Sequence, residues 1–179
     1  MALTFSVSKH RIDIPWWRFT FGPDKTPALP AQERGLRNGY NLPDYSDQAW
    51  GVTDNLLLRR LSGGDRPPDE IKYDGYGWFR YGFELPGDAR GEEIVFVLGG
   101  YDYQDWAEYW VYVNGMEIGH RLSSGRWRTP GEFILASGSA HYSALRFGSG
   151  EKNLVVVRTR GYDKHFGGLS DEVLKHYVF

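Results

Sequence analysis

The chain contains no cysteine. That excludes a disulfide framework and any thiolate-held metal, and it leaves the redox compartment unreadable. No apolar run approaches membrane-spanning length: the longest, such as Ile94-Val-Phe-Val-Leu98, falls far short of the ~20 residues a spanning helix needs. The sequence has no Asn-x-Ser/Thr acceptor, which fits a bacterial or intracellular origin. The first fifteen residues lack the basic, apolar, small-residue order of a secretory signal, so a cytoplasmic location is expected if the sequence is complete. No stripe of one charge stands out either. With 21 Lys and Arg against 23 Asp and Glu, net charge is −2, so neither nucleic acid nor a membrane is an expected partner. His10, His120, His141 and His176 show no paired metal-ligand spacing, and zinc is not expected. A phosphate-cradling glycine loop, a nucleophile elbow and a dinucleotide fingerprint are missing too.

Aromatic residues, by contrast, are abundant. Seven Trp, twelve Tyr and ten Phe make up 16% of 179 residues, a length suited to one domain, or one domain with an arm. They concentrate in short runs of β character. The segment Tyr109-Trp-Val-Tyr-Val-Asn-Gly-Met-Glu-Ile-Gly119 places two such runs around Asn-Gly, the pair best suited to a type I′ hairpin turn. Residues 78–85 alternate, with Phe79, Tyr81, Phe83 and Leu85 on one face and Arg80 and Glu84 on the other. Residues 93–98 form a continuous apolar run, which predicts a strand buried on both faces. Residues 132–135 and 153–159 predict two further strands. Ser170 is placed to cap a last helical turn, with Asp171 and Glu172 at its positive end. Residues 1–43, broken by proline and glycine, read as an irregular arm with a short strand near residues 3–7, pinned to the body by Trp16 and Trp17. Residues 44–179 read as the body. Many short strands, turn residues between them and no long amphipathic helix predict an all-β sandwich.

Five pieces, in order, carry a family resemblance. They are Asp44-Tyr-Ser-Asp-Gln-Ala-Trp50, Gly77-Trp-Phe-Arg-Tyr-Gly-Phe-Glu-Leu-Pro86, Val111-Tyr-Val-Asn-Gly-Met-Glu-Ile-Gly119, Gly150-Glu-Lys-Asn-Leu-Val-Val-Val-Arg158 and Asp163-Lys-His-Phe-Gly-Gly-Leu169. Together they resemble the galactose-binding-like jelly-roll domain of family 2 glycoside hydrolases (β-galactosidases and β-glucuronidases) and of sialate O-acetylesterases. The resemblance spans roughly residues 44–169. It implies a jelly-roll β-sandwich and a carbohydrate ligand. Family 2 enzymes place their catalytic carboxylates on a separate barrel with no counterpart in these residues, so hydrolase activity does not carry over. The implied role is a carbohydrate-binding module or accessory subunit, possible partner of a hydrolase domain.

The candidate site begins at Gly99-Gly-Tyr-Asp-Tyr-Gln-Asp-Trp106, which leaves a buried strand and enters the hairpin. Asp102 and Asp105 can accept hydrogen bonds from hydroxyls, and Tyr101, Tyr103 and Trp106 can stack on a ring face. The same residues could equally make local turns and fill core gaps. Arg126 and Arg128 flank Trp127, and an arginine fork beside a Trp suits a carboxylated sugar; solvated arginines around one core Trp is the competing reading. His165 sits in a glycine-flexed loop with Asp163 nearby. Should the chain be a small stand-alone enzyme on this scaffold (a lyase, isomerase or cyclase), Asp102, Asp105 or His165 would move the proton. No cofactor is expected beyond a structural calcium, for which Asp44 and Asp47, or Asp102 and Asp105, supply too few of the six to eight oxygens required. A scaffold subunit covering a catalytic partner is the third reading; an exposed apolar patch would mark it.

Overall fold

The computed structural model describes residues 11–22, 33–54, 75–98, 108–121, 131–161 and 175–178 of the 179-residue chain. Ten strands occur there: β1 (Arg11–Asp13), β2 (Trp17–Phe21), β3 (Gly51–Thr53), β4 (Gly75–Glu84), β5 (Ile94–Leu98), β6 (Tyr109–Val113), β7 (Met116–Arg121), β8 (Gly131–Leu135), β9 (Lys152–Gly161) and β10 (Lys175–Val178). They form a four-stranded sheet, order β1-β10-β5-β8, and a six-stranded sheet, order β3-β2-β4-β9-β6-β7. Every pairing is antiparallel. Among the described residues helix is confined to single turns, Arg34–Arg37 and Ala140–Ser143 among them. The predicted all-β sandwich is therefore the fold.

Alternation decides what lies between the sheets. Phe79 and Phe83 from β4, Val155 and Val157 from β9, and Tyr109, Val111 and Val113 from β6 point inward. There they meet Ile94, Phe96 and Leu98 of β5 and Phe133 and Leu135 of β8. The continuous run in β5 is buried on its second face too at Val97, and half-buried at Val95. The hairpin turn is as expected: Asn114 and Gly115 both have positive φ, 49° and 89°. Asn114 also works as a staple. Its side-chain amide donates to the Ala144 carbonyl (2.7 Å) and to Asn153 Oδ1 (2.9 Å), while its Oδ1 accepts from Leu154 N (2.8 Å).

Two expectations change. Residues 11–13 and 17–21, within the segment read as an irregular arm, are strands of the two sheets. Trp17 is wholly buried, and half-exposed Trp16 meets Tyr81 edge-on at 5.5 Å. The short strand near residues 3–7 and the Ser170 cap lie outside the described residues; Lys175–Val178 is strand.

The second change is larger. The outer face of β4, read as the polar one, is a second core. Trp78, Tyr76, Tyr112, Val156, Leu154 and Trp50 are buried there under residues 33–50, which cross the six-stranded sheet as a strap. Arg80 fastens that strap. Only 2% exposed, it donates from Nε to Asp47 Oδ2 (2.9 Å), from Nη1 to the carbonyls of Tyr40 and Leu42, and from Nη2 to the Tyr45 carbonyl (3.1 Å). The rings of Tyr45 and Trp50 lie 5.5 and 5.8 Å from its guanidinium carbon. A buried guanidinium is tolerable only when its donors are met, and here one carboxylate and three carbonyls meet them. Gly35 lets the strap lie flat, because a Cβ there would sit 2.7 Å from the Trp78 indole.

Arg80→Ala is expected to cost about 3–5 kcal/mol of unfolding free energy in urea titration, the range for breaking a buried ion pair. Arg80→Lys should recover only part, since an ammonium cannot span the same four acceptors. Gly115→Ala is expected to cost about 1–2 kcal/mol in the same assay, the strain of a left-handed non-glycine residue.

Candidate functional site

The strand registers gather one set of chain ends. Leu98 pairs with Gly131 and with Lys175, Tyr109 with Arg121 and Thr159, and Gly75 with Gly161. The chain therefore enters and leaves residues 99–107, 122–130 and 162–174 at a single end of the sandwich. These three segments hold every residue singled out for ligand binding: Tyr101, Asp102, Tyr103, Asp105 and Trp106 in the first, Arg126 and Trp127 in the second, His165 in the third. All eight lie outside the described residues, as does Arg128. The other carboxylates considered for calcium do lie inside: Asp44 is exposed and Asp47 faces the Arg80 guanidinium. Among the described residues no three His, Cys, Asp or Glu side chains cluster as a metal site would require.

The floor at this end is described. Tyr109 is fully buried, and its hydroxyl donates to the Leu98 carbonyl at 3.2 Å. Gly131 must be glycine, because a Cβ there would collide with that hydroxyl. One phenol thus joins the residue at which the chain departs into 99–107 to the residue at which it returns from 122–130. Burial pushes the Tyr109 phenol above its ordinary value of 10.0, against the opposing pull of the Arg121 guanidinium. Beside it, Arg160 Nη1 pairs with Glu108 Oε2 at 3.1 Å, and the Arg160 amide donates to the Glu108 carbonyl at 2.9 Å.

The outer face next to this end carries a cross-strand row that the sequence reading did not isolate. Registers set Trp78, Arg158, Trp110 and His120 side by side on β4, β9, β6 and β7. The Arg158 guanidinium carbon lies 3.9 Å from the Trp110 ring centre, 4.8 Å from Tyr76 and 5.8 Å from Trp78. Glu33, at the start of the strap, forms a buried ion pair with it. Trp110 and His120 stack at 6.4 Å with 26° between their planes. Burial falls along the row: Trp78 and Arg158 are buried, Trp110 half-buried, His120 exposed. The signal for this row was Trp78 and Arg80 alternating with Phe79. It marks two faces but does not say what covers the second.

No protein-family model and no curated protein matches the sequence. Solved structures do. A β-glucuronidase from Ruminococcus gnavus superposes with a TM-score of 0.56 at 21% identity, covering 88% of this chain and 23% of that one. A family 2 glycosyl hydrolase from Bacteroides cellulosilyticus gives 0.61 at 16% identity, over 94% and 20%. A calcium-binding mutant of β-glucuronidase 2 from Bacteroides uniformis gives 0.64 at 16%, over 94% and 18%. This class of fold is thus the all-β jelly-roll sandwich. It is similar to the sandwich of one part of these larger enzymes, and the chain spans about a fifth of their length.

Tyr112 behaves as Tyr109 does: burial, reinforced by the Glu117 carboxylate, raises its phenol well above 10.0. Each protonated phenol is therefore favoured by folding. Their contribution is complete below pH 10 and is lost as pH rises through the folded values. Thermal midpoints are expected to fall on the alkaline side of pH 10, and Tyr109→Phe with Tyr112→Phe should flatten that fall. Tyr109→Phe alone should cost about 1 kcal/mol at neutral pH, one buried hydrogen bond.

Proposed function

We propose that this domain recognises carbohydrate and acts as an accessory module to a glycoside-hydrolase-type enzyme, without chemistry of its own. The observation that supports this most is the gathering of chain ends. The three segments that hold all eight candidate ligand residues start and finish at one end of the sandwich. Binding groups favour loops held by a rigid scaffold, and the doubly covered six-stranded sheet supplies one. The likeness to a domain of larger β-glucuronidases supports the accessory role.

In this reading Trp106, Tyr101, Tyr103 and Trp127 offer ring faces to a pyranose. Asp102 and Asp105 accept hydrogen bonds from its hydroxyls, Arg126 meets a carboxylate where the sugar has one, and His165 lines the third segment. A site open to solvent buries few ligand atoms and orders several side chains, so affinity is weak. Trp106→Ala and Asp105→Ala should each abolish binding in titration calorimetry against galactose and glucuronic acid, with circular dichroism unchanged. Undiminished binding in both variants would refute this placement.

A further inference from the structure

We propose that Asn38, in the strap, is a site of spontaneous deamidation, while Asn114 is protected from the same reaction by the hydrogen bonds that fix it. The chain has two Asn-Gly pairs, Asn38-Gly39 and Asn114-Gly115. Asn-Gly is prone to this chemistry because glycine sets no side chain in the way of attack by its own amide nitrogen. The asparagine side chain must turn until its Cγ meets that nitrogen. The nitrogen, its proton given up to hydroxide, bonds to Cγ; the Cγ–Nδ2 bond breaks, and ammonia leaves with a proton taken from water. Water then opens the succinimide at one carbonyl or the other. The product is aspartate or isoaspartate, each with one negative charge that asparagine lacked.

At Asn114 that turn is blocked. Its Nδ2 donates to the Ala144 carbonyl and to Asn153 Oδ1, and its Oδ1 accepts from Leu154 N. All three hydrogen bonds would have to break before Cγ could swing toward Gly115 N. Asn38 differs. It is exposed, and among the described residues no hydrogen bond holds its side chain. The attacking nitrogen is restrained by the end of a helical turn only four residues long. Gly39 N donates to the Leu36 carbonyl at 2.9 Å, and Tyr40 N to the Gly35 carbonyl at 3.1 Å. So short a helix has no cooperative length to keep it closed. Arg34 and Arg37 bring positive charge into the same turn, which favours the anionic nitrogen that attacks. The location gives the reaction a structural consequence. Asn38 stands two residues before Tyr40, whose carbonyl accepts from the buried Arg80. An isoaspartate routes the backbone through one extra carbon and so displaces Tyr40 from that guanidinium.

The test incubates the whole chain at mildly alkaline pH, then follows the peptides holding residues 38 and 114 by mass spectrometry, with isoaspartyl methyltransferase to score the isomer. Asn38 should convert at least about tenfold faster than Asn114, from the net worth of the hydrogen bonds Asn114 would have to give up. Asn153→Ala, which takes one acceptor from Asn114 Nδ2, should narrow that gap; should this variant fail to fold, the two rates in the unaltered protein decide alone. Aged protein, separated by its added negative charge, should unfold at lower urea concentration than fresh protein. Asn38→Asp, which adds the charge without lengthening the backbone, should unfold with the fresh protein. No product at residue 38, or equal rates at the two sites, would overturn the proposal. Aged protein as resistant to urea as fresh protein would overturn the displacement of Tyr40.

Discussion

The buried guanidinium of Arg80 determines what kind of sandwich this is. Without a cation at that point, the carbonyls and the carboxylate of residues 40–47 would lose the one side chain on which they converge. With one, the Asp47 carboxylate and the carbonyls of Tyr40, Leu42 and Tyr45 converge on a single side chain. Residues 40–47 must then cross the sheet in one conformation. The desolvation that burying a charge demands is offset by four hydrogen bonds and by two rings alongside. The rings packed beneath the strap, from Trp78 to Tyr112, share that cover with the Glu33–Arg158 ion pair.

A sheet covered on both sides changes how its ends behave. β4 and β9, each ten residues long and paired along their whole length, form the stiff centre of the molecule. The end away from residues 99–107, 122–130 and 162–174 is tied by side chains. Asn153 links Asn114 to the Arg146 backbone, and the Tyr142 hydroxyl accepts from Gly91 N at 2.6 Å. At the other end the Tyr109 hydroxyl reaches the Leu98 carbonyl and Glu108 pairs with Arg160, both ties made by residues of the strands or immediately beside them.

Much of the fold was legible in the residues because alternation and turn chemistry are local. Phe79, Phe83 and Leu85 declare an inward face, Asn114-Gly115 declares a turn, and the apolar run at 154–157 can only be a strand. What stayed hidden depends on distant partners. β1 is three residues long and exists because β10, more than 160 positions later, pairs with it. Trp17 and Phe19 sit among prolines and glycines that suggest disorder, yet they complete the interior beside Phe79. Arg80 and Arg158 occupy the outward positions of their strands. Periodicity assigns them correctly to that face, but it cannot foresee a strap bringing Asp47 and Glu33 over them. The candidate ligand residues fall in segments outside the described part of the chain. Only the gathering of their flanking strands is visible, and no property of residues 99–107 alone announces it.

That gathering has an evolutionary consequence. Because residues 99–107, 122–130 and 162–174 share one exit while the opposite end is knotted by asparagine and tyrosine, insertions and exchanges can accumulate at one pole without disturbing the register of any ladder. Lineages bearing this scaffold can thus diversify at that pole while inheriting the same frame, much as a tool handle accepts different bits.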